Sequence, residues 1–259
     1  MSVFFQDVSF ARTGHPAVLD GVDLTVPDGE VLAIVGRSGA GKTTILKLAN
    51  RLLLPSRGTV SVDGRDTREW DPIQLRRHTG YVFQDVGLFP HMTVEENVRI
   101  VPRLEGWQAE RAHARAVELL ELVGLPPREF AGRRPSELSG GQRQRVGLAR
   151  ALAISPGVLL MDEPFGALDP ITRAEVRGEF ARLRARLGTT VILVTHDMGE
   201  AFSLADRVAV LDGGRMILCE TPAVVATSRD SRVQAFLTAL APWPTPQEPP
   251  LSSDAGTPE

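Results

Sequence analysis

Gly36-Arg37-Ser38-Gly39-Ala40-Gly41-Lys42-Thr43-Thr44 satisfies the pattern GxxxxGK[ST] at every specified position, and it directly follows the apolar run Val31-Leu32-Ala33-Ile34-Val35. An apolar strand, a glycine-rich loop and a helix in this order are typical of a phosphate-binding loop in an α/β fold. Glycines let the backbone N–H groups approach a triphosphate closely. Lys42 is expected to reach the β- and γ-phosphates, and the Thr43 hydroxyl to ligate Mg²⁺. All nine residues are therefore candidate nucleotide ligands.

Length and composition limit the classes of protein to which this loop can belong. The chain has 259 residues, 42% of them hydrophobic, and a formal net charge of −3. A surface that neutralises nucleic-acid phosphates needs clustered positive charge, so nucleic acid is not expected as a partner. The single cysteine, Cys219, cannot form an internal disulfide. We recognise neither a secretory signal nor a membrane-spanning run, and a reducing cytoplasm is expected.

Two further apolar runs end in residues that suit phosphate chemistry. Residues 158–161 form an apolar strand pattern that Asp162 and Glu163 follow directly, and residues 191–195 form another that ends in His196. In parallel sheets ligands bind at such strand ends. Asp162 is expected to hold Mg²⁺ through its water shell, and Glu163 to orient or deprotonate the attacking water. A lone histidine at a strand end is usually structural, so a γ-phosphate role for His196 requires that these strands be neighbours.

The remaining periodicity predicts an α/β core that a helical segment interrupts. Residues 3–10 and 22–26 alternate apolar and polar side chains, which predicts antiparallel strands, and the helix after the glycine loop is expected to reach about residue 53. From Thr93 to about residue 153 the pattern is helical. We therefore predict a cassette over residues 1–240, with a core of residues 1–84 and 155–240 and an all-helical insert of residues 85–154. A disordered tail is expected over residues 241–259.

The sequence Leu138-Ser139-Gly140-Gly141-Gln142 lies inside the helical insert. Ser139 and Gln142 have the spacing of a capping box with two glycines between them, so this helix start is expected to expose backbone donors and a hydroxyl to an anion. One chain already has a phosphate loop for its triphosphate. A second anion-binding helix end therefore suggests a second copy of the chain.

At these residues the sequence resembles the ATP-binding subunits of ABC transporters, over residues 3 to about 240. The resemblance implies a P-loop NTPase (RecA-like) core, an N-terminal antiparallel β-subdomain and an inserted helical signature subdomain. It also implies a dimer that sandwiches two ATP molecules, each between one P-loop and the partner's signature. Gln84 then touches Mg²⁺ and water, Asp169 in the segment 166–169 crosses the dimer interface, and His196 is the switch histidine. The implied signature contacts to the partner's ATP are Ser139, Gly140, Gly141 and Gln142.

One position departs from that family. An aromatic residue usually stacks on adenine near the N-terminus, and alignment through Val8-Ser9-Phe10 places Arg12 there. Selectivity for adenine is then expected to be low. The alternative is a shifted loop, in which Phe10 or His15 reaches the base and Arg12 faces solvent.

Three segments are most similar to the ATPases of glycine betaine, choline and carnitine importers. They are residues 87–97, 101–107 and 164–173, of which the second, ending in Trp107, is the most specific, although helix packing alone is an alternative explanation for it. The implied partners are permease subunits and, indirectly, a solute-binding protein, and the implied location is the cytoplasmic face of the membrane. Many such ATPases have C-terminal regulatory domains, and regulation of that kind is not expected from this short tail.

Two alternatives remain at this stage. The chain could serve another importer, of the amino acid, sulfonate or polyamine type, or it could be a mechanical ABC ATPase that transports nothing. The identity of the solute is not encoded in an ATPase subunit, because solute specificity lies in the permease and the binding protein.

Overall fold

The computed structural model describes residues 1–166 and 168–239, apart from the side chains of residues 183–187 and 239. The predicted disordered tail and Ala167 of the segment 166–169 therefore lie outside the described residues. Within them, no helix is both long enough and apolar enough to cross a membrane.

A small antiparallel sheet forms the N-terminal part of the chain, as the alternating pattern predicts. Its strand order is β2-β1-β4-β5. The strands are β1 (Val3–Ala11), β2 (Ala17–Val26), β4 (Arg57–Val62) and β5 (Arg65–Asp66). Val3, Phe5, Val8 and Phe10 of β1 are buried. This face packs over the first of two hydrophobic cores, which also includes the helix after the phosphate loop.

A larger sheet carries the strand ends that matter for phosphate chemistry. It has the order β10-β9-β3-β8-β7-β6, in which β10 is antiparallel to β9 and the other pairs are parallel. The strands are β3 (Val31–Gly36), β6 (Thr79–Val82), β7 (Val158–Asp162), β8 (Thr190–Val194), β9 (Arg207–Asp212) and β10 (Arg215–Glu220). Asp162 is in register with Val194. The strands that end at Asp162 and before His196 are therefore neighbours, as the γ-phosphate role requires.

The helix after the phosphate loop, α1 (Lys42–Ala49), is shorter than the sequence indicates. Asn50 ends it, and Arg51 adopts a left-handed conformation with φ of 55°. The N–H groups of Leu52 and Leu53 both turn back to the carbonyl of Lys47. The apolar residues that extended the predicted helix therefore belong to a turn, and the side chain of Leu52 is 45% exposed.

The helical insert lies between β6 and β7 in the chain. Its helices are α3 (Val94–Leu104), α4 (Ala109–Leu122), α5 (Pro127–Phe130) and α6 (Gly140–Ala151), with a 3₁₀ turn at Pro135–Glu137. Thr93 and Glu96 form a capping box at the start of α3. The apolar face of α4 and its C-cap is buried and consists of Ala112, Ala116, Leu119, Leu120 and Val123. All of them except Ala112 belong to the second hydrophobic core, which covers the other face of the larger sheet.

The remaining helices flank the larger sheet. They are α2 (Pro72–His78), α7 (Pro170–Leu187), α8 (Met198–Leu204), α9 (Pro222–Ala226) and α10 (Ser231–Ala239). Asp169 caps α7, because its Oδ1 accepts from the N–H groups of Ile171 and Thr172, both at 3.1 Å.

Candidate nucleotide-binding and catalytic site

The three glycines of the phosphate loop are required for different reasons. A Cβ on Gly36 would overlap the carbonyl oxygen of Leu211 in β9, so packing within the sheet excludes a side chain there. Gly39 has φ of +80° and no atom close to a Cβ, so its backbone conformation is what requires glycine. Gly41 has φ of +105°, and a Cβ on it would lie 2.5 Å from Cδ2 of Leu19.

Lys42 folds back over the loop that precedes it. Its Nζ donates to the carbonyls of Gly36 at 2.7 Å and Arg37 at 3.0 Å, and the residue is 7% exposed. Burial lowers the pKa of Lys42, and the nearby carboxylates of Glu163 and Asp162 oppose that shift. A buried ammonium with carbonyl partners is suited to exchange them for phosphate oxygens, which carry full negative charge.

Thr43 and Asp162 bring two oxygen atoms together at the base of the site. The Thr43 hydroxyl donates to Oδ1 of Asp162 at 3.0 Å. Burial raises the pKa of Asp162, and the hydrogen bond from Thr43 opposes the rise. No group of three or more histidine, cysteine or acidic side chains among the described residues forms a metal cage. The pair fits Mg²⁺, which takes few protein ligands and completes its shell with phosphate oxygens and water.

Glu163 is contacted by His196, the candidate γ-phosphate ligand, and by Gln84, which the family resemblance assigns to Mg²⁺ and water. Its Oε2 lies 3.5 Å from Nε2 of Gln84 and 3.3 Å from Nδ1 of His196. Its backbone is left-handed, with φ of 46°, and its N–H donates to the carbonyl of Val194 at 2.9 Å. Such a conformation costs a non-glycine residue about 1–3 kcal/mol and is concentrated at functional sites.

Several of these residues line one cleft of about 430 Å³, whereas Asp162 and His196 contact lining residues but are not part of the lining. Its lining consists of Val18, Ser38, Gly39, Gly41, Lys42, Thr43, Thr44, Gln84 and Glu163. Arg37 of the loop is exposed, and Ala40 is 6% exposed and packs into the first core. Val18 is not predicted from the sequence as a cleft residue, because it belongs to β2 and only the fold brings it close to the loop.

The candidate base contacts do not line this cleft. Arg12 and His15 are exposed, and neither is among the cleft residues. Phe10 is 8% exposed and belongs to the first core. A shifted loop in which Phe10 reaches the base would thus have to remove that side chain from the core.

The signature residues also lie outside the cleft. Ser139 and Gln142 form the predicted capping box: the Ser139 hydroxyl accepts from the Gln142 N–H at 3.2 Å, and Gln142 Oε1 accepts from the Ser139 N–H at 2.9 Å. Ser139 and Gly140 are exposed. Gly141 is buried, and a Cβ on it would overlap Cγ2 of Thr172 in α7.

Comparison with known proteins identifies the class to which this fold and site correspond. The profile of the ABC transporter family matches residues 19–166, which is more than half of the chain. The chain belongs to the ABC transporter family. The resemblance inferred from the motifs is therefore confirmed, and the site is that of an ABC-type ATPase.

Several curated relatives are similar over most of this chain. The osmoprotectant import ATP-binding protein OsmV of Salmonella typhimurium is 44% identical over 95% of this chain and 68% of its own length. The glycine betaine/carnitine/choline transport ATP-binding protein OpuCA of Bacillus subtilis is 48% identical, with 84% and 57% covered. The methionine import ATP-binding protein MetN of Leifsonia xyli is 47% identical, with 81% and 62% covered. The chain thus spans between 57% and 68% of the length of these relatives.

A solved structure confirms the predicted fold class. The ATP-binding cassette MJ0796, a dimer in a post-hydrolysis state bound to ADP and Pi, has a TM-score of 0.76 and 35% sequence identity. The match covers 85% of this chain and 98% of the other.

Proposed function

We propose that this chain is the ATP-hydrolysing subunit of an ABC importer, and that it acts as a dimer of two identical copies with Mg²⁺. The observation that carries the proposal is the position of Glu163, whose carboxylate contacts Gln84 and His196 beside the cleft that Lys42 lines. A carboxylate in this place accepts the proton of the attacking water. His196 donates to the γ-phosphate, and Lys42 neutralises its charge.

The candidate metal ligands are Thr43, Asp162 and Gln84. The hydroxyl of Thr43, which lines the cleft, and the carboxylate of Asp162 share a hydrogen bond of 3.0 Å, so the two candidate ligands lie next to each other. When bound, Mg²⁺ supplies neutralisation of phosphate charge. Gln84 also lines the cleft and contacts Glu163. This contact is expected to change when ATP and Mg²⁺ occupy the site.

The dimer follows from the separation between cleft and signature. Ser139 and Gly140 are exposed on a helix start that does not line this chain's own cleft. In the proposed dimer, residues 139–142 of one copy close the nucleotide site of the other, and Asp169 lies at the same interface. The dimeric state of the MJ0796 cassette supports this arrangement.

The permease is proposed to bind where the insert meets the core. A groove of about 370 Å³ lies there, with a mainly apolar lining that includes Leu52, Phe83, Phe89 and Leu104. These four side chains are between 39% and 57% exposed. We propose the occupant to be a short cytoplasmic helix of the permease, since an amphipathic helix uses such a groove for its apolar face. One wall of the groove then belongs to the proposed core of residues 1–84 and 155–240, and the other wall belongs to the proposed insert of residues 85–154.

The proposed solute is a quaternary ammonium osmoprotectant such as glycine betaine, choline or carnitine. OsmV and OpuCA support this assignment by their names and identity. MetN, at 47% identity, supports a second candidate, an importer of an amino acid. In either case the permease would hold the chain at the cytoplasmic face of the membrane, and a solute-binding protein would deliver the solute.

Uptake by membrane vesicles that contain this chain, its permease and its solute-binding protein tests the proposal. We expect ATP-dependent uptake of radiolabelled glycine betaine, choline or carnitine, and little uptake of methionine; the reverse selectivity would favour the second candidate. Phe89→Ala is expected to reduce uptake at least about tenfold while the ATPase rate of the isolated chain stays within about twofold. The matched control is Val224→Ala, because Val224 is 47% exposed and does not line the groove. Equal loss of uptake and ATPase in Phe89→Ala would contradict the groove assignment.

A further inference from the structure

The turn that carries His196 is closed by buried polar side chains. Thr195 is 1% exposed and Glu200 is 2% exposed. The Thr195 hydroxyl donates to Oε2 of Glu200 at 2.5 Å and accepts from the Asp197 N–H at 3.0 Å. The Thr195 hydroxyl, on one side of His196, therefore holds the backbone N–H of Asp197 on the other side, and the same hydroxyl is bonded to the carboxyl group of Glu200.

The same turn is attached to the rest of the site at both ends. The Thr195 N–H donates to the carbonyl of Ile34 in β3, at 3.2 Å, just before the phosphate loop. The Glu200 N–H donates to Oδ1 of Asp197 at 3.1 Å, which caps α8. Nη1 of Arg173 in α7 lies 3.7 Å from Oδ2 of Asp197. These contacts place the His196 backbone relative to the phosphate loop and to the helix that follows Asp169.

Stability alone does not explain a buried carboxyl group at this place. Burial raises the pKa of Glu200, which means that the ionised form is disfavoured there, and the hydrogen bond from Thr195 opposes that shift only in part. An apolar residue of similar volume would avoid this cost. A satisfied buried polar pair does, however, specify one geometry more narrowly than apolar packing does.

We propose that Thr195 and Glu200 are positioning residues for His196: their hydrogen bond holds the histidine at the distance from Glu163 and the γ-phosphate at which it acts. This inference rests on the proposed role of His196. It requires that removing the Thr195 hydroxyl slow the chemical step without affecting ATP binding, because the partners of that hydroxyl are Glu200 and the Asp197 N–H rather than residues that line the cleft.

The first part of the test measures kcat and KM for ATP. Thr195→Val is expected to lower kcat about 10- to 100-fold, the range that misplacement by about 1 Å produces, with KM within about twofold of the original. Thr195→Ser keeps the hydroxyl and is expected to restore kcat to within about threefold, and Glu200→Gln keeps an acceptor oxygen and should behave similarly. Glu200→Met removes the acceptor and is expected to resemble Thr195→Val.

Thr189→Val is the matched control. Thr189 is 9% exposed, it precedes the same strand, and its hydroxyl donates to the carbonyl of Pro156 at 3.2 Å, away from the site. This control is expected to lower the melting temperature about as much as Thr195→Val and to leave kcat unchanged. If Thr195→Val and Glu200→Met both keep the original kcat, the positioning role is wrong.

A double-mutant cycle separates the positioning role from a general structural one. In a His196→Ala background, Thr195→Val is expected to lower kcat by less than about twofold further, since the residue that it positions is already absent. A further loss as large as in the original background would overturn the inference. His196→Ala with unchanged kcat would instead refute the proposed role of His196, which is a different failure. If Thr195→Val does not fold, Glu200→Met in both backgrounds gives the same decision.

Discussion

The hydroxyl of Thr43, in the first turn of α1, donates to Oδ1 of Asp162, at the end of β7, across a separation of 119 residues in sequence. This bond joins the phosphate loop to the strand that carries the second carboxylate, Glu163. The same Asp162 is half-buried, and this partial burial raises the pKa of its carboxyl group. The negative charge of Asp162 is therefore unfavourable in the protein without Mg²⁺, and it lies where Mg²⁺ is proposed to bind.

A consequence for stability can be measured with Asp162→Asn. A carboxyl group whose pKa is higher in the folded than in the unfolded state makes folding less favourable as pH rises through the interval between the two values, and the loss is complete above the folded value. At neutral pH Asp162→Asn is therefore expected to raise the free energy of unfolding in urea without Mg²⁺ or nucleotide, and to abolish hydrolysis. Below the ordinary carboxyl pKa of 3.8 the difference in stability should disappear.

Asp230→Asn is the control with the opposite sign. Hydrogen bonds from Arg232 lower the pKa of Asp230 to about 2. The ionised Asp230 therefore stabilises the fold at pH values above the ordinary carboxyl range, and this stabilisation is lost as pH falls. This control should lower stability slightly at neutral pH. If Asp162→Asn lowers stability at neutral pH as Asp230→Asn does, burial is not the dominant influence on Asp162.

The signature residues are best tested at Gly140 rather than at Gly141. A Cβ on Gly140 has no atom closer than 4.0 Å, whereas one on Gly141 would overlap Thr172 of the same chain and disturb α7. Gly140→Asp is expected to abolish hydrolysis, because its carboxylate repels the partner's γ-phosphate, and to leave ATP binding to the monomer within about twofold. Ser139→Arg should behave alike. A loss of monomer affinity as large as that from Lys42→Ala would contradict an action across the dimer.

The base is expected to contribute little selectivity, since neither Arg12 nor an aromatic residue lines the cleft. ATP and GTP should be hydrolysed with efficiencies within about tenfold, which corresponds to about 1.4 kcal/mol. Arg12→Ala should change ATP affinity by less than that factor, as measured by titration. Phe10→Ala is expected to destabilise the fold, because Phe10 lies in the first core. A folded Phe10→Ala variant with a selective loss of ATP affinity would support the shifted loop instead.

Local patterns predict the loop residues and the strand ends that lie at the cleft, because the phosphate loop is continuous in sequence and buried parallel strands place their ends at one edge. The strands that end at Asp162 and before His196 are neighbours for that reason. The sequence analysis does not predict helix α2, although Asp71 and Pro72 form the same N-cap pattern as Asp169 and Pro170 at the start of α7, and the Asp71 side chain accepts from two N–H groups.

Other features of the structure depend on contacts between segments that are distant in sequence, and no local sequence pattern predicts them. Gly36 is required by Leu211 of β9, and Val18 reaches the cleft from β2. The bond between Thr195 and Glu200 depends on how α8 leaves the sheet. Helix α1 ends early because Arg51 adopts a left-handed conformation. The sequence does not show this end, since the helical periodicity continues into Leu52 and Leu53.

The most direct test of the central claim uses Glu163→Gln. The amide keeps the shape of the side chain and removes both the base and a negative charge close to the γ-phosphate, so ATP should bind but not turn over. Size-exclusion chromatography with ATP and Mg²⁺ is expected to show a stable dimer for Glu163→Gln and a monomer for Glu163→Gln combined with Lys42→Ala. A Glu163→Gln chain that remains monomeric at high protein concentration and hydrolyses ATP at the original rate would contradict the account.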